Sequence, residues 1–203
     1  MHVMDAYSPH FSSETSSSGE ERLASYAIEA PTAQTSPLVF ASPHSGRNYP
    51  AELMGDIIAS TLQLRRIEDA YVDDLFAMAP EKLGAPLLRA LIGRACIDLN
   101  RASNELDPNM FSKPLRGRIL SRSARVHAGL GCIPRIAHGG APIYERKLSL
   151  NELSQRFDTV YHPYHAALTA LVKDTRNTFG VCFLVDCHSM PSDADANRPL
   201  DDI

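Results

Sequence analysis

Long apolar runs are missing from this chain of 203 residues: none approaches the ~18 consecutive apolar residues that a membrane-crossing helix needs, which argues against a membrane role. A surplus of positive charge is also missing. With a formal net charge of -4 and a pI near 6.0, the chain has no general attraction for nucleic acid, and the basic stretch 116–125 reads as a solvated loop. The amino terminus lacks a charged segment followed by an apolar one, so no secretory leader is read there and a cytoplasmic location is expected. Cysteine is scarce. Cys96, Cys132, Cys182 and Cys187 form no C-x-x-C pair and stand among apolar neighbours, the setting of buried thiols in a reducing compartment. No G-x-S-x-G turn surrounds Ser45 or Ser189, which weighs against a serine hydrolase built on either.

Hydrophobic residues at 44% and charged residues at 22% are enough for one well-packed domain at this length and not for two. The chain divides by composition into a Ser/Thr/Glu/Pro-rich tail over residues 1–36, expected to be largely disordered, a domain over 37–191 and a polar tail over 192–203. Within the first tail only Leu23 to Ile28 has apolar content to pack, as an edge strand or a short helix.

Two apolar runs carry chemistry at their ends. Val181 to Val185 is a β-branched and aromatic run that reads as a strand buried on both faces of a mostly parallel sheet, and it ends in Asp186, His188 and Ser189. Pro37 to Ser42 repeats the arrangement and delivers His44 and Ser45. Carboxyl ends of strands in open α/β sheets are where ligands gather, so neighbouring strands would bring the two imidazoles together.

Between these runs a short helix is expected within Pro50 to Ser60, then a longer one over Leu62 to Ala79 with an apolar stripe from Leu64 to Phe76. Glu68 lies near the centre of that stripe and Asp69 at its margin, so either is a candidate to bind a cation; Asp73 and Asp74 read as an acidic face in water. Strands are expected over Ala85 to Leu91 and Arg94 to Leu99. The second exits into Asn100-Arg101, a pair able to recognise a carboxylate through an amide donor and a bidentate fork. Residues 102–141 lack periodicity and form a long irregular excursion of the kind that often covers an active site, with His127 and His138 at its surface. Ser149 to Phe179 is the longest helical pattern, and Pro163 should kink it into two, with His162 and His165 beside the kink.

Two imidazoles and a carboxylate from different elements, with an open position, make a catalytic zinc site. Asp186, two residues before His188 on an extended strand, could orient an imidazole from behind. The same ligand set suits iron, manganese or cobalt.

Five segments in order, Pro43-His44-Ser45-Gly46, Glu68 to Asp73, Ile97 to Arg101, Tyr161-His162-Pro163-Tyr164-His165 and Asp186 to Met190, resemble the N-formylglutamate amidohydrolase family. The resemblance spans about residues 35–191. It implies a single-domain α/β fold, a mixed and mostly parallel sheet flanked by helices, like that of zinc carboxypeptidases and aspartoacylase-type deacylases. It further implies metal-dependent hydrolysis of N-formyl-L-glutamate to formate and glutamate. Metal would be held by His44, His188 and Asp69, with Glu68 competing for the carboxylate place, and Asn100-Arg101 would hold the substrate carboxylate. Family members continue past the D-C-H-S-M motif, and carboxypeptidase-like enzymes take their general base from late in the chain, so the catalytic base stays unassigned. A domain that binds without turning over is the reading from another class. Oligomeric state is left open by the sequence.

Overall fold

Every strand among the described residues is short, and the sheet they form is organised around the second of them. The computed structural model describes residues 24–117, 119–121 and 123–190, so residues 1–23 of the first expected tail and all of the second, 192–203, lie outside the described residues. Strand β1 (Tyr26–Glu29) is the edge strand anticipated near Ile28 and runs antiparallel to β3 (Leu87–Ala90). Strand β2 (Leu38–Ser42) is parallel to β3 on one side and to β4 (Phe183–Asp186) on the other, giving the order β1-β3-β2-β4. The sheet is therefore mixed and mostly parallel, and the two His-bearing strands are neighbours.

One expectation about β4 is overturned. Among the described residues it lies at the edge of the sheet, and Val181, Phe183 and Leu184 are 43%, 57% and 48% exposed rather than buried on both faces. An apolar run specifies a strand, but its place in the sheet is set by which other segments pair with it.

The helix expected over 62–79 is broken into α2 (Thr61–Arg65), α3 (Val72–Phe76) and α4 (Ala79–Leu83), after α1 (Ala51–Met54). The break has a cause. The Asp69 N–H donates to the His44 carbonyl at 3.0 Å, drawing the chain off the helical path toward the end of β2, and Tyr71 takes up a left-handed φ of 64° to start α3. Asp73 is buried, not solvated: Arg47 Nη2 donates to it at 2.7 Å and Arg89 lies 3.6 Å away. Residues 94–99 form turns and not a strand, with Cys96 N–H donating to Gly93 O and Asp98 N–H donating to Cys132 O.

That last bond ties the excursion 102–141 to the body of the protein. It contains helix α5 (Ala124–His127) and buries Leu106, Phe111, Cys132 and Ile133 in the main core, so it packs as part of the domain. Helix α6 (Leu150–Arg156) continues through a π-helical turn (Phe157–Tyr161) into α7 (His162–Phe179), which Gly180 ends at φ 76°. Pro163 does not split the helix. A wider turn placed just before it accommodates the missing N–H and the bulk of the ring.

Two features brace α6. Ser149 and Glu152 form a capping box, and Arg146 donates to both Glu152 oxygens at 3.1 Å. Partial burial raises the Glu152 pKa, but Arg146 and the Ser149 N–H outweigh it and hold the carboxyl at about 2, against 4.5 unperturbed. A depressed carboxyl pKa stabilises the fold above its unfolded value and loses that contribution as pH falls through the folded one. Glu152→Gln is accordingly expected to lower stability by about 1 kcal/mol at pH 7. Melting curves should show the gap to the parent closing as pH falls from 4.5 toward 2; a gap independent of pH would remove the ionised box as its cause.

At the other end of α6, Arg156 is fully buried, donating to the carbonyls of Leu53, Met54 and Cys96 and to the Tyr144 hydroxyl, with its guanidinium 5.1 Å from the Tyr144 ring centre. It thereby satisfies the exposed carbonyl end of α1.

Candidate metal centre and adjoining pocket

The site begins with a tight exit from β2. Ser45 Oγ donates to Ser42 O at 3.2 Å, folding the chain back at Ser42 and presenting His44 inward. Gly46 then passes so close to Ile92 that a Cβ there would sit 2.1 Å from its carbonyl oxygen, which only glycine permits. Strand β4 arrives alongside in parallel register, and Cys187 N–H donates to Ala41 O at 2.7 Å, which sets His188 beside His44. The two imidazole centres are 4.8 Å apart.

His44, Asp69 and His188 form a cluster whose ligand atoms all lie within 4.8 Å of one another. Asp69 Oδ2 is 2.7 Å from His188 Nδ1 and 3.4 Å from His44 Nδ1. The far nitrogen of each ring meets a carboxylate of its own. His44 Nε2 is 2.8 Å from Asp98 Oδ1, and His188 Nε2 is 2.9 Å from Asp186 Oδ2. Asp98 only accepts, so it holds the His44 ring proton on Nε2 and leaves the Nδ1 lone pair of the neutral ring facing the cluster, whereas His188 Nε2 has the Asn100 amide, a donor, as well as Asp186 within 2.9 Å. His44 Nδ1 is buried and has no hydrogen-bond partner. An orphaned buried acceptor beside a carboxylate and a second imidazole is the donor set a divalent metal takes, so these residues fit such an ion.

Electrostatics agree with the geometry. Burial works against the ionised Asp98, but the bond from His44, the charges of His44 and Arg94, and the Asn100 N–H hold its carboxyl at about 2. Burial likewise opposes ionisation of Asp69, which His44 and His188 outweigh, so its carboxyl titrates below the usual range. Burial lowers the His44 pKa, yet Asp69 and Asp98 together raise it above 6.5.

Glu68 does not join the cluster. Its side chain is fully buried and accepts from Tyr49 Oη at 2.7 Å, whereas its neighbour Asp69 is aimed at the imidazoles. Asn100 and Arg101 stand next to the cluster. Asn100 places its side-chain amide nitrogen 2.9 Å from His188 Nε2, and Arg101 Nε is 3.8 Å from Asp98 Oδ2. Ser45 is buried and engaged with Ser42, while Ser189 lies on the pocket wall. His127, His138 and His162 are exposed and apart from the cluster.

Asp98 is the residue that sequence reading overlooked. It accepts from His44 Nε2, from Asn100 N–H and from Arg94, and so joins the candidate metal ligand to the candidate substrate-binding pair. The signal was an acid inside the apolar run Ala95 to Leu99, two residues before Asn100. A cavity of about 400 Å³ opens beside the cluster, lined by Glu68, Asp69, Arg94, Asp98, Leu130 and Ser189 among others. A larger one of about 780 Å³, around Leu106, Leu120 and Arg135, contains none of the clustered residues. The smaller cavity is the one that meets the chemistry.

A family model described as N-formylglutamate amidohydrolase matches residues 36–203. The N-formylglutamate deformylases of Pseudomonas putida and Pseudomonas aeruginosa are each 27% identical over 158 residues, 77% of this chain but 52% and 53% of theirs. The chain thus spans about half the length of the curated relatives it matches. The crystal structure of N-formylglutamate amidohydrolase from Ralstonia eutropha superposes with a TM-score of 0.80 at 35% identity, covering 88% of this chain and 64% of that one. An Agrobacterium tumefaciens gene product shares the fold alone, with a TM-score of 0.58 at 16% identity, covering 83% of this chain and 57% of that one. With a family match over most of its length and a solved member of that name sharing its architecture, the chain belongs to the N-formylglutamate amidohydrolase family.

Proposed function

We propose that this chain is a cytoplasmic metal-dependent amidohydrolase acting on N-formyl-L-glutamate or a similar small N-acyl acidic amino acid, with its site on a domain spanning 37–191. Water adds across the formyl C–N bond, so the formyl carbon leaves as formate and the nitrogen takes a proton to become the amine of glutamate. The observation that carries this reading is the convergence of two Nδ1 atoms on Asp69, each ring held from behind by a separate carboxylate.

His44, His188 and Asp69 would hold the ion, zinc in the first instance. A bound Zn²⁺ supplies a Lewis acid for the formyl oxygen and acidifies water. Asp98 would keep the His44 imidazole in the tautomer that offers Nδ1, and Asp186, 2.9 Å from His188 Nε2, would orient the second ring. Asn100 and Arg101 hold a substrate carboxylate by charge-assisted bonds, which fixes the scissile bond over the cluster. The adjoining cavity, at about 400 Å³, is in the range of small-molecule sites.

The second reading is a domain that binds metal and ligand without turnover. One paired measurement separates the two: metal per chain by mass spectrometry, and glutamate released from N-formyl-L-glutamate with and without chelator. The expected result is about one zinc per chain and turnover that a chelator abolishes and added zinc restores. Bound zinc without turnover would establish the binding domain. Turnover indifferent to chelator would reject the metal site.

A further inference from the structure

The segment Tyr161-His162-Pro163-Tyr164-His165 contributes nothing to the cluster of His44, Asp69 and His188, yet two of its rings reach the backbone next to it. Tyr161 closes the π-helical turn and His165 lies four residues on, so both leave the same side of the helix, and their ring centres are 4.3 Å apart. Tyr161 Oη donates to the Arg101 carbonyl at 2.8 Å. The half-buried His165 ring lies against the Leu99 carbonyl, which favours its protonated form although burial lowers its pKa overall. These contacts fall on the residues immediately before and after Asn100.

Segment 99–101 has no strand neighbour to hold it. Its fixed points are side chains: Asp98 Oδ1 accepts the Asn100 N–H at 2.9 Å on the site face, and Tyr161 and His165 meet its carbonyls from the helix. Arg101 Nε is buried without a hydrogen-bond partner, and one of its Nη atoms reaches back only weakly, at 3.4 Å, to Asn100 O. The guanidinium is therefore carried with donor capacity unspent. The π-turn is what aims Tyr161 there. One residue more or less per turn rotates the helix by about 100° relative to what precedes it, so a regular α-turn would swing Tyr161 away from Arg101.

We propose that Tyr161 and His165 are positioning residues that set the Asn100-Arg101 pair from behind, holding its donors toward the carboxylate of an acidic substrate. The inference rests on the functional reading above and assigns this helix to the substrate grip and not to the metal. Tyr161→Phe removes one hydroxyl and keeps the ring stack, so the fold should survive.

In the full chain, Tyr161→Phe should weaken N-formyl-L-glutamate binding by calorimetry, and raise KM where turnover is measured, about tenfold. Its kcat and zinc affinity should stay within about twofold of the parent. His165→Leu should act in the same direction, and the double variant should lose less than the product of the two, because both work through one segment. Unchanged substrate affinity in Tyr161→Phe, alongside a loss in an Arg101→Ala control, would overturn the positioning role. A parallel loss of zinc affinity and melting temperature with unchanged substrate affinity would also overturn it, in favour of a purely structural contact. A parent chain that binds neither zinc nor N-formyl-L-glutamate would instead overturn the site reading, and this inference with it.

Discussion

His188→Ala is expected to lose its zinc and its turnover together, the latter by at least three orders of magnitude on the order of what a metal-activated water provides, while circular dichroism stays that of the parent. His188 is an exposed residue beyond the end of β4 and no core contact depends on it, so the loss should be chemical and not structural. Retention of one zinc by this variant would sink the proposed site. The companion variant is Asp98→Asn. It preserves shape but removes the carboxylate that holds the His44 proton on Nε2, at 2.8 Å, and an amide presenting its N–H there would favour the wrong tautomer. Zinc affinity should fall roughly 10- to 100-fold without being abolished. A loss as complete as that of His188→Ala would place Asp98 among the ligands, and no loss would dissolve the link between Asp98 and the tautomer of His44.

Arg156→Met is expected to cost about 3–5 kcal/mol of stability. Three backbone carbonyls would lose their buried donor, those of Leu53 and Met54 at the end of α1 and that of Cys96 in the turn leading to Asp98. Methionine fills most of the volume but donates nothing, so each carbonyl is left dry and unpaired. Urea unfolding should show the midpoint reduced with an unchanged slope. Arg156→Lys should recover only part of the loss, because one ammonium cannot serve the points that a planar fork spans. A loss below about 1 kcal/mol in Arg156→Met would mean that water enters and takes over those bonds.

Two opposite kinds of buried polar group emerge from these expectations. Each nitrogen of Arg156 has a hydrogen-bond partner and serves stability, whereas His44 Nδ1 and Arg101 Nε are buried without one, the first beside Asp69 and the second 3.8 Å from Asp98. Unpaired buried polar atoms are costly, and a ligand at the site would supply the partner of these two.

Residue types and spacing by themselves pointed to a mostly parallel sheet, to two neighbouring His-bearing strands and to His44, His188, Asn100 and Arg101 as candidates, because period, punctuation and chemistry of this kind are local properties, and the family resemblance added the mixed sheet. They left Glu68 and Asp69 as rivals, since helical spacing carries both acids to one side and says nothing of a broken helix. Tertiary structure parted them. The bond from Asp69 N–H to His44 O pulls the chain out of the helix and turns one acid to the imidazoles and the other to Tyr49. Tertiary structure likewise placed β4 at an edge, buried Asp73 between arginines and revealed Asp98 as the hinge of the site. The reason is common to all of these. Pairing partners, ion partners and burial join residues tens of positions apart, and such contacts leave no periodic trace in the segments that make them.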